Sequence, residues 1–172
     1  MNIKLRKQYI GLGLIGWIVA IPVLLIGLVI LAVIFYEGRK AYWDYRVTEM
    51  CKMDGGATVF ENIRISQGEY KRLGGINGAI PVPAEQYKKD SPYFARTVTQ
   101  EIREWNPEVK KWTTEIIRNT DEKVLGIEII YMRIGGDTPT GILHPSSFSC
   151  RDVAGVKLGI ERQIFIINGD TK

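Results

Sequence analysis

The most reactive side chains in the 172-residue sequence belong to two cysteines, Cys51 and Cys150. They enclose about 100 residues, and an even pair of cysteines that brackets a domain is typical of a disulfide formed in an oxidising compartment. In the chain-entropy model, a bond across a loop of this length contributes roughly 4–5 kcal/mol. The alternative is two unrelated buried thiols in a reducing compartment. We predict the disulfide.

His144 is the single histidine, which excludes metal sites that need two histidine ligands. A nucleophilic pair of His144 with either cysteine would need a free thiol, and the predicted disulfide uses both sulfur atoms. We therefore expect a structural role for His144, beside Pro145. The sequence predicts no cofactor and no metal ion.

Two segments combine a pair of glycines with an aspartate: Asp54-Gly55-Gly56 and Gly135-Gly136-Asp137. Such segments can form anion nests, but a calcium loop needs several alternating oxygen ligands, which neither segment supplies. Turn chemistry explains both. An enzyme that uses Asp54 and Asp137 stays an alternative only if the two carboxylates face each other in a pocket.

Two tryptophans and an arginine lie around the predicted turn at Asn106-Pro107, namely Trp105, Trp112 and Arg103. Exposed Trp and Arg side chains are frequent in the energetic centres of protein interfaces. These three residues are therefore a candidate contact surface for a protein partner. The simpler explanation is that the tryptophans pack into the sheet and the charged groups are solvated.

These candidates all follow an uncharged segment, residues 8–36, which exceeds the ~20 helical residues that cross a bilayer core. Aromatic residues cluster after its end, as in the interfacial belts of membrane proteins, and Pro22 is tolerated within such a helix. A cleavable signal peptide would have an apolar core of about 7–15 residues and then a site of small side chains, which residues 33–37 do not offer. We predict an uncleaved transmembrane helix.

Gly16 and Ala20 form a small-xxx-small pair on this helix, the spacing that lets two membrane helices approach closely. Glycine is also common in transmembrane helices without such a role. The pair is a candidate packing site for a membrane partner or for a second copy of the chain.

Most of the net charge of +4 comes from Lys4, Arg6 and Lys7, because residues 1–36 contain no acid. The remainder has 20 basic and 19 acidic residues, so it lacks the basic excess of a nucleic-acid binder. Basic residues are nearly balanced between the two flanks of the helix, so the positive-inside rule does not orient it. The predicted disulfide does: it favours a cytoplasmic N-terminus and a periplasmic C-terminal domain at a bacterial inner membrane.

The predicted regions are a basic flank (1–7), a transmembrane helix (8–36), a helical stalk (37–53) and an exported domain (54–172). Within the domain, polar turns separate three runs rich in β-branched residues, which predicts an antiparallel meander of strands at 94–105, 109–118 and 124–134.

Residues 57–65 and 159–168 predict two further strands, and Ser66-Gln67-Gly68-Glu69 has the form of a capping box that begins a short helix ending near Leu73. The expected fold is α+β: a single transmembrane helix followed by a small domain with an antiparallel β-sheet and one or two short helices.

No motif in the sequence identifies a reaction. Our hypothesis is a single-pass, membrane-anchored envelope protein whose soluble domain binds another protein, as an accessory subunit of a membrane complex or as an immunity or exclusion factor. The alternatives are a membrane-tethered envelope enzyme and a ligand-sensing domain, which would need an apolar cavity behind the sheet.

Overall fold

The computed structural model describes residues 3–138 and 145–168 of the chain. It confirms the α+β fold: one long N-terminal helix precedes an antiparallel sheet with short helices. The elements are α1 (Ile3–Asp54), β1 (Gly56–Val59), β2 (Ile63–Ser66), α2 (Gln67–Arg72), β3 (Tyr93–Arg103), β4 (Glu108–Arg118), β5 (Val124–Ile134), β6 (Ser147–Ser149), α3 (Ile160–Ile164) and β7 (Phe165–Asn168), with 3₁₀ turns at Glu85–Asp90 and Cys150–Asp152. His144 lies outside the described residues.

Helix α1 is continuous for 52 residues, through Pro22 and through the segment predicted as a stalk. At 1.5 Å per residue this is roughly 78 Å, more than twice the thickness of a bilayer core. Its described part has an 18-residue window of mean hydropathy 3.0, and none of that window is buried. The helix is therefore long enough and apolar enough to cross a membrane, and no other described segment covers its apolar surface.

The main sheet has the order β1-β5-β4-β3, and all its neighbouring strands are antiparallel. The outer edge of β5 is shared by two short strands: β1 pairs with its first half and β6 with its second half. A separate pair of strands, β2 and β7, is parallel. The three long strands β3, β4 and β5 are the predicted meander.

Two hydrophobic cores lie on opposite faces of the sheet. Ile116 belongs to the first core and Val109 to the second; they are separated by an odd number of positions in β4, so their side chains project to opposite sides. The first core is covered by α2, α3 and β7, and it contains the buried residues Ile65, Tyr70, Ile80, Ile116, Leu125, Ile160, Ile164 and Phe165. The second core packs the end of α1 against the sheet, and it contains Val47, Cys51, Val109, Tyr131, Cys150 and Val153.

A disulfide joins Cys51, in the last turn of α1, to Cys150, directly after β6. Both residues are buried in the second core. The bond lies where the edge of β5 passes from one short partner strand to the other, since β1 ends its pairing at Ile129 and β6 begins at Met132. The backbone N–H of Tyr131, which would lack a strand partner in this gap, donates to Cys150 Sγ at 3.2 Å. The disulfide therefore closes the sheet edge as well as the loop.

The glycine pairs act as turns, as the sequence predicts. Gly135 and Gly136 have φ values of 80° and 90°, a left-handed region that other residues rarely adopt. Gly55 follows the last turn of α1 so closely that a Cβ there would lie 2.6 Å from the carbonyl oxygen of Cys51. Only glycine fits at that position without moving the helix end.

Two predicted strands have a different structure. The run 57–65 is divided between β1 and β2, because the backbone N–H groups of Phe60 and Glu61 both donate to the Leu125 carbonyl and turn the chain out of the main sheet. The run 159–168 begins with helix α3, since Ile160 and Ile164 are both buried at a helical spacing in the first core.

We expect removal of the disulfide to lower the free energy of unfolding of the domain by about 2–5 kcal/mol, because the bond closes a loop of 99 residues in the unfolded chain. The measurement is urea denaturation of the full chain in detergent micelles, comparing wild type with Cys51→Ala/Cys150→Ala. Reduced wild type should match the double variant. Equal midpoints for oxidised and reduced protein would contradict the assigned role of the bond.

Candidate interaction surface

The junction between α1 and the sheet is held by a buried cation. Arg133 is 1% exposed, and its guanidinium donates to the Asp44 carboxylate on α1, to the Gly135 carbonyl and to Ser146. Burying an arginine is tolerated only when its donors are paired. Arg133 therefore fixes the rotation of α1 against β5 and the loop that follows it.

Asp137 forms a second contact between α1 and the same loop. Its carboxylate accepts from Lys40 Nζ at 2.8 Å, from Ser146 N at 2.6 Å and from Ser146 Oγ at 2.7 Å. The hydrogen bond from Lys40, and then those from Ser146, hold the pKa of Asp137 well below its usual range. All of these bonds serve the charged form, so Asp137 is a structural carboxylate.

Asp54 ends α1 beside Tyr131 and Lys111. One carboxylate oxygen accepts from the Tyr131 hydroxyl at 3.0 Å and from Lys111 Nζ at 3.1 Å. Burial raises the pKa of Tyr131, and the Tyr131 hydroxyl with the Asp54 carboxylate raises the pKa of Lys111. Both groups therefore keep their protons at neutral pH, and neither is poised as a base or a nucleophile.

Asp54 and Asp137 do not face each other. They contact α1 at its end and at Lys40, which are 14 helical residues apart, or roughly 21 Å along the axis. A two-carboxylate reaction needs both groups around one substrate, so this pair does not supply it.

The described surface also has no group of three His, Cys, Asp or Glu side chains that could hold a metal ion. A depression of about 340 Å³ beside Cys51 is lined mostly by small residues and backbone, without converging acidic groups or an imidazole.

The most exposed part of the sheet is strand β3 from Arg96 to Ile102. Every residue of this stretch is exposed, on both faces of the sheet. The side chains include two large apolar ones, Val98 at 58% exposure and Ile102 at 42%. In the sequence, polar residues occupy both odd and even positions of this stretch, so neither face of the strand is apolar. That pattern could have identified it as a strand without a covering layer.

The outer edge of β3 carries unpaired backbone groups. Near its start the edge is already occupied, since Ala95 N donates to the Pro83 carbonyl at 2.8 Å and forms a parallel bridge with Ala84. The N–H and C=O of Ala95 therefore point away from β4, and backbone direction alternates along a strand.

It follows that Thr97, Thr99 and Glu101 present their N–H and C=O groups outward. Among the described residues no strand pairs with them. We define the β3 edge as these three residues together with the neighbouring side chains of Val98 and Ile102.

The three residues predicted as a partner contact have different surroundings. Arg103 is turned inward: its Cζ lies 5.1 Å from the ring centre of Trp43 on α1, and its Nε donates to the carbonyls of Trp105 and Pro107. Trp112 pairs with Thr99 in the sheet and is half-buried. Trp105 is 78% exposed in the turn between β3 and β4.

Of the predicted helix-packing pair, Gly16 lies within α1 and Ala20 is exposed on it.

No protein-family model matches the sequence, no curated protein matches it, and no solved structure matches the fold. What the protein does must therefore be inferred from its own surface.

We expect amide hydrogen exchange to alternate along the β3 edge. Thr97, Thr99 and Glu101 should exchange fast, whereas Val98 and Gln100 should be protected because their N–H groups face β4. Exchange measured by NMR on the full chain in micelles tests this pattern. In β4, which has a strand on each side, the odd-numbered and the even-numbered residues should both be protected. Uniform protection of residues 97–101 would mean that the edge is covered.

We expect Asp137 to contribute stability that is complete above the pKa of an unfolded aspartate, about 4, and is lost as the pH falls further toward its lowered folded-state value. In urea unfolding across the acid range, the stability difference between wild type and Asp137→Asn should therefore shrink below about pH 4. Glu49→Gln, which removes a carboxylate from an exposed pair with Lys52, is the control. A difference that does not change with pH would contradict the assigned contacts.

Proposed function

We propose that the chain is a single-pass membrane protein whose domain binds a strand of another protein along the β3 edge. The proposal depends mainly on the outward N–H and C=O groups of Thr97, Thr99 and Glu101, which lie beside the exposed side chains of Val98 and Ile102. Addition of a strand satisfies such groups, and pockets or apolar side chains beside them provide selectivity. The site is the protein-interaction surface of an accessory or immunity-type factor.

Anchoring by α1 is supported by its exposed apolar surface and by its continuity with the domain. Val47 and Cys51, in the same helix, are fully buried in the second core. Cleavage at the end of the apolar segment would leave the domain with only the docked end of this helix. The disulfide supports an oxidising compartment for the domain, which in a bacterium is the periplasm with the N-terminus in the cytoplasm.

A strand of a different protein fits the edge better than a second copy does. Strand β5 runs opposite to α1, since Tyr131 contacts the end of α1 and Asp137 contacts Lys40; β3 runs in the same direction as β5. A twofold axis that pairs two β3 edges in antiparallel fashion would point the two α1 helices in opposite directions. Two copies anchored in one membrane cannot pair in that way.

A photo-crosslinking side chain in place of Val98, in the full chain in its native membrane, tests the proposal. We expect one discrete product with a different protein. Thr99→Pro should reduce its yield about tenfold, because the substitution removes an outward N–H and obstructs strand addition. This N–H does not pair with β4, so the domain should keep its thermal stability.

Two controls make the result specific. Thr99→Val retains the backbone N–H and should leave the product intact. A crosslinker at Phe60, which is 59% exposed and lies away from the β3 edge, should not give the same product. The proposal is wrong if the product is insensitive to Thr99→Pro, if Phe60 gives it equally, or if the captured protein is a second copy of this chain.

A further inference from the structure

The turn between β3 and β4 lies close to the place where α1 changes from apolar to charged. Asn106 Oδ1 accepts from the Gly136 N–H at 2.6 Å. A Cβ on Gly136 would lie 3.2 Å from Pro107 and 3.7 Å from the Lys40 side chain. Arg103, at the other side of the turn, lies over Trp43. The turn is thus held against Lys40–Trp43.

That height falls within the headgroup layer of a membrane crossed by α1. Tyr36 is the last residue of the uncharged segment, and Lys40 follows it by about 6 Å along the helix axis. The headgroup layer of one leaflet is roughly 5–8 Å thick. Arg39, between them, lies over the rings of Phe35 and Tyr36, an arrangement expected of a cation at the upper edge of the hydrocarbon.

The exposed side chain in the turn suits this layer. Trp105 is 78% exposed, and Ile102 on the adjoining strand is 42% exposed. Tryptophan concentrates at the headgroup level, where its ring contacts acyl chains and its indole N–H meets polar groups. A tryptophan that is exposed to water in a turn lacks the favourable contact with acyl chains. The tip of the hairpin points toward the membrane, because β3 runs in the direction from the end of α1 toward Lys40.

We infer that the β3–β4 turn is a second membrane contact, in which Trp105 inserts into the headgroup layer of the bilayer that α1 crosses. This inference rests on the proposed anchoring by α1. Because the domain is already fixed on α1, a second contact would keep the whole unit from tilting away from the membrane surface. The β3 edge, which begins directly above the turn, is then presented at a fixed height and orientation.

The four tryptophans of the chain provide the test, since two lie in α1 (Trp17 and Trp43), one in the turn and one in the middle of the sheet. Three full-length variants each retain one of Trp17, Trp105 or Trp112, with phenylalanine at the other positions, and are reconstituted into phosphatidylcholine–phosphatidylglycerol vesicles. The readout is quenching of tryptophan emission by brominated phosphatidylcholine. We expect several-fold stronger quenching of Trp105 than of Trp112, which lies near the far end of α1, and strong quenching of Trp17.

Each outcome decides between the proposals. If Trp17 is quenched and Trp105 is not, the second contact is overturned while the anchoring stands, and Trp105 is left as a contact for a protein. If Trp17 is not quenched, the proposed anchoring by α1 is overturned, and the second membrane contact is overturned as well because it depends on that anchoring. The difference in quenching between wild type and Trp105→Phe gives the same answer with a single exposed substitution, which keeps the test valid if a triple variant does not fold.

Discussion

The docking of the last turns of α1 onto β5 is the interaction on which the rest of the structure depends. Val47 and Cys51 contribute a large part of the second core, and the disulfide joins the helix to the end of β6. Arg133 adds directional contacts, because its buried guanidinium can donate to the Asp44 carboxylate only when Asp44 lies within a narrow range of positions. The domain is therefore built around the end of α1, and separating the two would expose apolar surface and leave Arg133 without its carboxylate partner.

This construction determines which surfaces remain free. One face of the sheet is used by α1 near Val109 and Tyr131, and the other by the first core near Ile116. The two cores cover β5 and the two ends of β4, and neither one extends over β3 from Arg96 to Ile102. Strand β3 is also the strand farthest from β1, at the end of the sheet order. The combination of an uncovered edge and two uncovered faces follows from how few elements the domain has to cover its sheet.

The sequence predicts the features that depend on local pattern. The uncharged run before Glu37, the three β-branched runs and the capping box at Ser66 each contain their signal within a few residues, and the structure has a helix, three strands and a helix N-cap at those places. The division of 57–65 into β1 and β2 depends instead on the Leu125 carbonyl, which is distant in sequence. Likewise, Arg103 has the sequence features of a contact residue, and only the position of Trp43 on α1 shows that it packs internally.

An exposed edge strand normally carries a cost, because unpaired backbone groups invite association with other chains. Proteins usually protect such edges with charged side chains, with Pro or with a bulge. In β3 a bulge occurs only at its end, between Glu101 and Arg103, and the four residues between Arg96 and Glu101 include neither a charged residue nor a proline. Anchoring in a membrane changes this balance, since antiparallel pairing of two such edges would require oppositely directed anchors. Under the proposed anchoring, α1 would suppress this self-association and leave the edge available to a strand from a different protein.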